Sequence, residues 1–364
     1  MNTEQSLLIN PFHFAVDPME RVLLINFQRD PDEYYIGFEV QVFDDEINGQ
    51  GHLVIGWRRD SKVDVYYQKS LALSEKNFDT AGKGLADKIE CLFEVASFEI
   101  NERGAQALYR FTDKYQRSVK IKINERNYKK RQPFSLLAPM ESAAETPSCL
   151  PLIYLFDFYF VRKNHTVIAI KIDGKEHALD TLSFPMDGMK MYFTRYSSKP
   201  LIAGFNPSLD DHVSLIKLTG QQEVVKKEST FIELIWSEDC PSIKKIRQTN
   251  PLHPLELTFV PPFPSVTGLE NNQMKEGLFQ ISCHSSLGLI MGRYQVIKRG
   301  RTIKIKCYPS EGWSPVPEKW SIRFLYRTAP VFKEWTKSYE WSAYIYERKQ
   351  KNYYMHSSWK KLNR

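Results

Sequence analysis

Asp157 is the one charged residue in PLIYLFDFYF, residues 151 to 160, and it sits between Phe156 and Phe158. A carboxylate in so apolar a setting is costly unless it is ion-paired, hydrogen-bonded or protonated. Three readings answer that cost. A buried Arg, a Lys or backbone amides hold it; it lies at a wet barrel mouth or domain interface; or it is an acid with a raised pKa that protonates an alkene or epoxide. In the third reading Tyr159 and His165 are its nearest assistants, with His177 further along the chain. His165 falls where VRKNHTV turns, and loops at a barrel mouth are where ligand contacts collect.

Other chemistries have less to stand on. Cys283, His284, Ser285 and Ser286 adjoin in ISCHSSLG, but no GxSxG elbow frames a nucleophile there. The eight histidines form no HxH or HExxH and the five cysteines no CxxC, so no metal site is expected. GKG at 82 to 84 lacks the rest of a phosphate-binding loop. No cofactor is expected.

These residues need elements to position them, and composition indicates which kind. With 22 Phe, 19 Tyr and 7 Trp in 364 residues, large rings favour strands packed between sheets or around a cavity. Net charge is +7, and its densest cluster is NYKKRQ, residues 127 to 132. That cluster reads either as a solvated loop or as a contact for phosphate or anionic lipid. No helical basic stripe accompanies it, so nucleic acid is not an expected partner. An odd number of unpaired-looking cysteines, and a start without a secretory pattern, point to reduced thiols and a cytoplasmic location. The longest apolar run, Pro151 to Val161, is too short for a membrane helix.

Period-two segments recur along the whole chain. IGFEVQVF puts Ile36, Phe38, Val40 and Val42 on one face, and RSVKIKINE alternates Val119, Ile121 and Ile123 with Lys120 and Lys122. Asp173-Gly174 is a two-residue hairpin signal, and KRGR (298 to 301) a turn between YQVI and TIKIKC. KWSIRFLYRTAPVF, 319 to 332, fits a strand face of Trp320, Ile322, Phe324 and Tyr326. It equally fits a helical face of Trp320, Phe324, Thr328 and Val331. The tail YYMHSSWKKL seals a barrel, covers an interface or makes a short amphipathic contact with a membrane surface. The expected fold is all-β, with two antiparallel barrel or sandwich domains packed together and few short helices. A restart of the pattern places the domains at 1–220 and 221–364.

The stretches YYIGFEVQVF, HLVIGWRR and VDVYYQKSL, in an all-β chain of this length, resemble two-domain calycins. These lipocalin-like proteins include carotenoid hydratases and tocopherol cyclase. The resemblance implies paired lipocalin-like barrels and, in alkene-hydrating members, an acidic proton donor near aromatic and His residues. A barrel of that kind can enclose one apolar molecule. The first functional expectation is therefore binding of an isoprenoid, polyene or lipid-like molecule. Tyr154, Phe156, Phe158, Trp57, Tyr192 and His177 would line its cavity. The second is a cofactor-independent isoprenoid hydratase, cyclase or isomerase on the same scaffold, with Asp157 as acid. The third is a protein-interaction module whose aromatics are simply core.

Overall fold

The computed structural model describes residues 6–78, 84–139, 147–238, 240–317, 319–348 and 352–362. Strands dominate the described residues, accompanied by two α-helices and three short 3-10 turns, so the all-β expectation holds. The chain divides into two compact units, neither continuous in sequence. The two-sheet unit comprises Asp17–Ala138 and Ile153–Ile202; the meander unit comprises Met1–Val16, Pro139–Leu152 and Ala203–Arg364. This division differs from a single cut near residue 220. A restart of strand rhythm marks a new run of hairpins, whereas sheet pairing joins segments far apart in sequence.

The smaller sheet of the two-sheet unit runs Lys175–His177, Thr166–Ile172, Ser118–Glu125, Gly104–Thr112, Val95–Asn101, antiparallel throughout. Val119, Ile121 and Ile123 are buried, as the alternation of that strand requires. Asp173 and Gly174 both have positive φ, 50° and 77°, the two-residue turn anticipated between its first two strands. The larger sheet runs Phe134–Ala138, Leu150–Arg162, Met191–Phe205, Arg21–Asn26, Tyr35–Asp45, Gly49–Arg58, Val63–Tyr67, Leu85–Glu90. Its last pair is parallel, whereas the pairs from Met191–Phe205 to Val63–Tyr67 are antiparallel. Rings meet between the sheets: Tyr66 lies 5.0 Å from Phe111, and His52 5.6 Å from Tyr109. A further core cluster contains Phe43, Leu53, Val65, Leu71 and Phe78, with Trp57 packed against it.

In the meander unit, nine consecutive strands from Val224–Lys227 to Asn352–Lys361 each pair antiparallel with the next. Leu209–His212 adds an outer strand beside the last. KRGR makes the expected turn, with Gly300 at φ 58° between Leu289–Arg299 and Thr302–Ser314. The C-terminal tail is the final strand of this sheet, where Trp359 is buried opposite Trp341. Phe12 and Phe205, from segments distant in sequence, fill the space over these rings. Phe12 lies 4.9 Å from both Phe259 and Phe263 and 5.8 Å from Trp341, and Phe205 lies 6.2 Å from Trp359. Contacts at these separations are close-packed aromatic geometry.

The ambiguous segment is helical: α1 spans Trp320–Thr328 and α2 spans Pro330–Glu334. Pro330 ends the first helix by its missing N–H and opens the second, where that N–H is not needed. All five cysteines are free thiols. No helix among the described residues is long and apolar enough to cross a membrane.

Candidate functional site

Strand Leu150–Arg162 is apolar on both faces, but Asp157 does not follow its alternation. Phe134 pairs with Phe158 and Leu136 with Leu155, so the longer strand carries an extra residue between these pairs. Asp157 has φ 51°, the left-handed conformation that such a bulge uses and that Asp tolerates better than most residues. The bulge turns its carboxylate toward Arg131, which grips it with two parallel bonds of 2.8 and 2.6 Å. Ser198 Oγ donates to the same carboxylate. Arg131 Nε donates to the Asn101 carbonyl at 3.0 Å, and Arg131 N to the Glu102 carbonyl at 3.1 Å. The partner of Asp157 is therefore an arginine, and its carboxylate orients Arg131 against the 101–102 turn.

Five residues along the same strand a second arginine does similar work. Arg162 and Glu125 are both fully buried. Arg162 N and Nε donate to Glu125 Oε1, at 3.2 and 2.5 Å, and its terminal nitrogens donate to the Lys129 and Arg103 carbonyls, at 2.7 and 2.5 Å. Glu125 Oε2 accepts from Ala105 N at 3.1 Å. A Cβ on Gly104, whose φ is 136°, would come within 2.2 Å of that carboxylate. Glycine there lets the backbone approach the buried acid. A buried guanidinium with its nitrogens bonded in this way is a rigid clamp on two turns.

What the two arginines hold is the basic cluster flagged in the sequence. Asn127 completes the brace: its Nδ2 donates to the Asn164 carbonyl at 3.2 Å and its Oδ1 accepts from Lys129 N at 3.0 Å. With the backbone so fixed, the side chains of Arg103, Arg126, Tyr128, Lys129 and Lys130 are exposed. Arg103 and Arg126 line a cleft of about 500 Å³ together with Asn101, Glu102 and Gln106. Glu102, the acid of the cleft, is bonded to Lys130 at 3.0 Å. Arg126 Nε is steadied by Asn124 Oδ1 at 3.1 Å. Among the described residues the Arg103 guanidinium has no ion pair, so the cleft carries uncompensated positive charge.

The other expected site residues are dispersed. Tyr159 donates to Asp187 at 2.6 Å; burial, then this neighbour, push its hydroxyl pKa up, so it stays protonated. His165 is exposed in its turn, at φ 59°, with its ring 4.7 Å from that of Tyr128, beside the basic loop rather than bonded to Asp157. His177 is buried, 2.9 Å from the Asp30 carbonyl, with its ring tilted against that of Phe27 at 5.4 Å. Tyr154, Phe156 and Phe158 are buried core, and Phe158 packs edge-on to Phe134 and Phe160. Trp57 joins the core cluster described above, and Tyr192 lies under Lys163 Nζ at 5.2 Å. Asp157, Tyr159 and His165 thus form no bonded constellation. Sequence reasoning did not single out Arg103, Arg126, Glu125 or Arg162. The one local signal was the NYKKRQ cluster; the pairings are non-local.

A second cleft, about 390 Å³, is lined by Arg21, Gln50, His52 and Gln68 among others. Tyr109 is fully buried, burial holds its hydroxyl protonated, and that hydroxyl is hydrogen-bonded to His52 Nδ1 at 2.7 Å. Burial, then Arg21, lower the His52 pKa from 6.5. Below 6.5 the unfolded chain therefore binds a proton that the folded chain refuses, and stability falls as pH falls through that window. His52→Asn keeps an acceptor for Tyr109 and is expected to flatten this part of the slope. Urea midpoints measured across the window check it, and an unchanged slope would refute the assignment.

No protein-family model matches the chain, and no curated protein or solved structure is significantly similar to it.

Proposed function

We propose that the protein is a non-catalytic binding protein for a small phosphate-bearing molecule, held at the Arg103–Arg126 cleft. The observation that carries this reading is a pair of exposed arginines flanking a cleft of ligand size, on a loop braced by two internal arginine–carboxylate pairs. Guanidinium groups match phosphate oxygens in geometry, and a braced loop loses little entropy on binding. Catalysis by Asp157 has weaker support, because its carboxylate is already engaged by Arg131 and Ser198. An apolar ligand also has weaker support, since Tyr154, Phe156 and Phe158 are spent on packing.

Isothermal titration with inorganic phosphate and pyrophosphate tests the proposal. Binding should weaken with salt, and Arg103→Ala with Arg126→Ala should lower affinity at least tenfold, since each charge-assisted bond contributes about 1.5–3 kcal/mol. Equal binding by the double variant would show the cleft is not the site. Recovery of an isoprenoid or lipid by native mass spectrometry, without phosphate binding, would return the apolar reading to first place.

A further inference from the structure

Helix α1 presents a second exposed surface, in the meander unit. Its inner face is riveted by Ile322 and Tyr326, both buried. The Tyr326 ring lies 5.0 Å from Trp313 and 4.9 Å from Phe332, and Trp313 Nε1 donates to the Leu287 carbonyl at 2.7 Å. These contacts anchor the helix. The opposite face carries Trp320, 78% exposed, and Phe324, 45% exposed, stacked at 5.9 Å one helical turn apart. Val316, 55% exposed, precedes them in the chain. Single exposed apolar residues need no explanation, but a stacked Trp–Phe pair projecting from an anchored helix does.

Charge identifies the occupant. From Glu318 to Glu334 the chain has four basic residues, Lys319, Arg323, Arg327 and Lys333, and two acids, one at each end, so the segment keeps a net charge of +2 with no acid within α1 itself. Arg323, Arg327 and Lys333 are exposed. The spacing of Arg323 and Arg327 repeats that of Trp320 and Phe324, so cations run alongside the rings. Trp is the side chain most suited to the boundary between headgroups and acyl chains, and Arg and Lys bind the anionic surface above it. We propose that α1 docks the protein on an anionic lipid bilayer, with Trp320 and Phe324 entering the interface and Arg323, Arg327 and Lys333 facing the headgroups. The contact is peripheral and reversible, because two rings and three cations are far from the apolar area of a spanning segment.

Co-sedimentation of the full chain with phosphatidylcholine vesicles, with and without phosphatidylserine, tests this. The protein should pellet only with the anionic vesicles and be released by high salt. Arg323→Gln with Arg327→Gln should lower partitioning about thirty-fold, the loss expected for two basic residues at such a surface. Trp320→Ala with Phe324→Ala should lower it several-fold while leaving the far-UV spectrum unchanged, since the buried Ile322 and Tyr326 hold the helix. The α1 variants should keep their affinity for inorganic phosphate in the titration above, which separates this surface from the phosphate-binding cleft. Three results would each overturn the proposal: no pelleting with anionic vesicles at low salt, equal pelleting with neutral vesicles, or unaltered pelleting of both α1 variants. Capture on immobilised polyglutamate without vesicle binding would replace the membrane with an acidic protein partner.

Discussion

Arg162→Met is expected to destabilise the two-sheet unit by about 3–5 kcal/mol, because it leaves the Glu125 carboxylate buried without its cation. The same substitution deprives the Arg103 and Lys129 carbonyls of their donors, so the turns that carry the basic loop lose their clamp. Two further variants apportion the effect. Arg162→Lys keeps a charge but cannot reach a carboxylate and two carbonyls with one compact ammonium, and should fall between wild type and Met. Arg162→Met with Glu125→Leu removes the stranded charge and should recover part of the loss, since a buried pair can often be exchanged for apolar groups. Urea unfolding followed by hydrogen exchange at Gly104 and Ala105 reads all three. A loss below about 1 kcal/mol for Arg162→Met would mean that the pair is not desolvated as its geometry indicates. Any variant that folds but releases the clamp should also weaken phosphate at the cleft. Fold and site are coupled here through one side chain.

Legibility in the sequence follows the range of the interaction. Asp173-Gly174 and the KRGR turn were readable because turn chemistry is local, and Ser118–Glu125 because its lysines mark the wet face. Segment 319–332 stayed undecided because Trp320 and Phe324 fit both periods. What settles it is the docking of Ile322 and Tyr326, on Trp313 and its neighbours, which no window of the sequence contains. The unit boundaries were hidden for the same reason, since the segment bearing Phe12 belongs with strands more than two hundred residues away. The basic loop was visible as NYKKRQ, and its contact with phosphate or lipid was one of two readings. Its bracing was not visible, because Arg162 looks like the ordinary end of an apolar run. The cavity-lining aromatics were the least secure inference. Composition reports that rings are abundant, and only packing reports whether they surround a ligand or one another.

Asp157 offers the sharpest test of backbone against charge. Three substitutions separate its roles. Asp157→Asn keeps the shape and the tolerance for φ 51° but gives up the charge opposite Arg131, and should cost about 1–3 kcal/mol. Asp157→Gly relaxes the left-handed backbone yet also leaves Arg131 without its carboxylate, so it should be no better than Asn and somewhat worse for chain entropy. Asp157→Val loses the ion pair and forces a β-branched residue into a conformation that costs a further 1–2 kcal/mol or so, making it the most damaging of the series. Arg131→Met in the Asp157→Asn background should add less than it does alone, because the partner charge is already gone. The order wild type, Asn, Gly, Val in urea midpoints would establish a bulge residue that is also an ion-pair anchor. If Asn and Val were equally harmless, neither the bulge nor the pair would contribute. The physical point is that a left-handed bulge swings one carboxylate out of an apolar strand toward the 101–102 turn, where it orients Arg131. The isolated acid of PLIYLFDFYF then belongs to the scaffold of the basic loop.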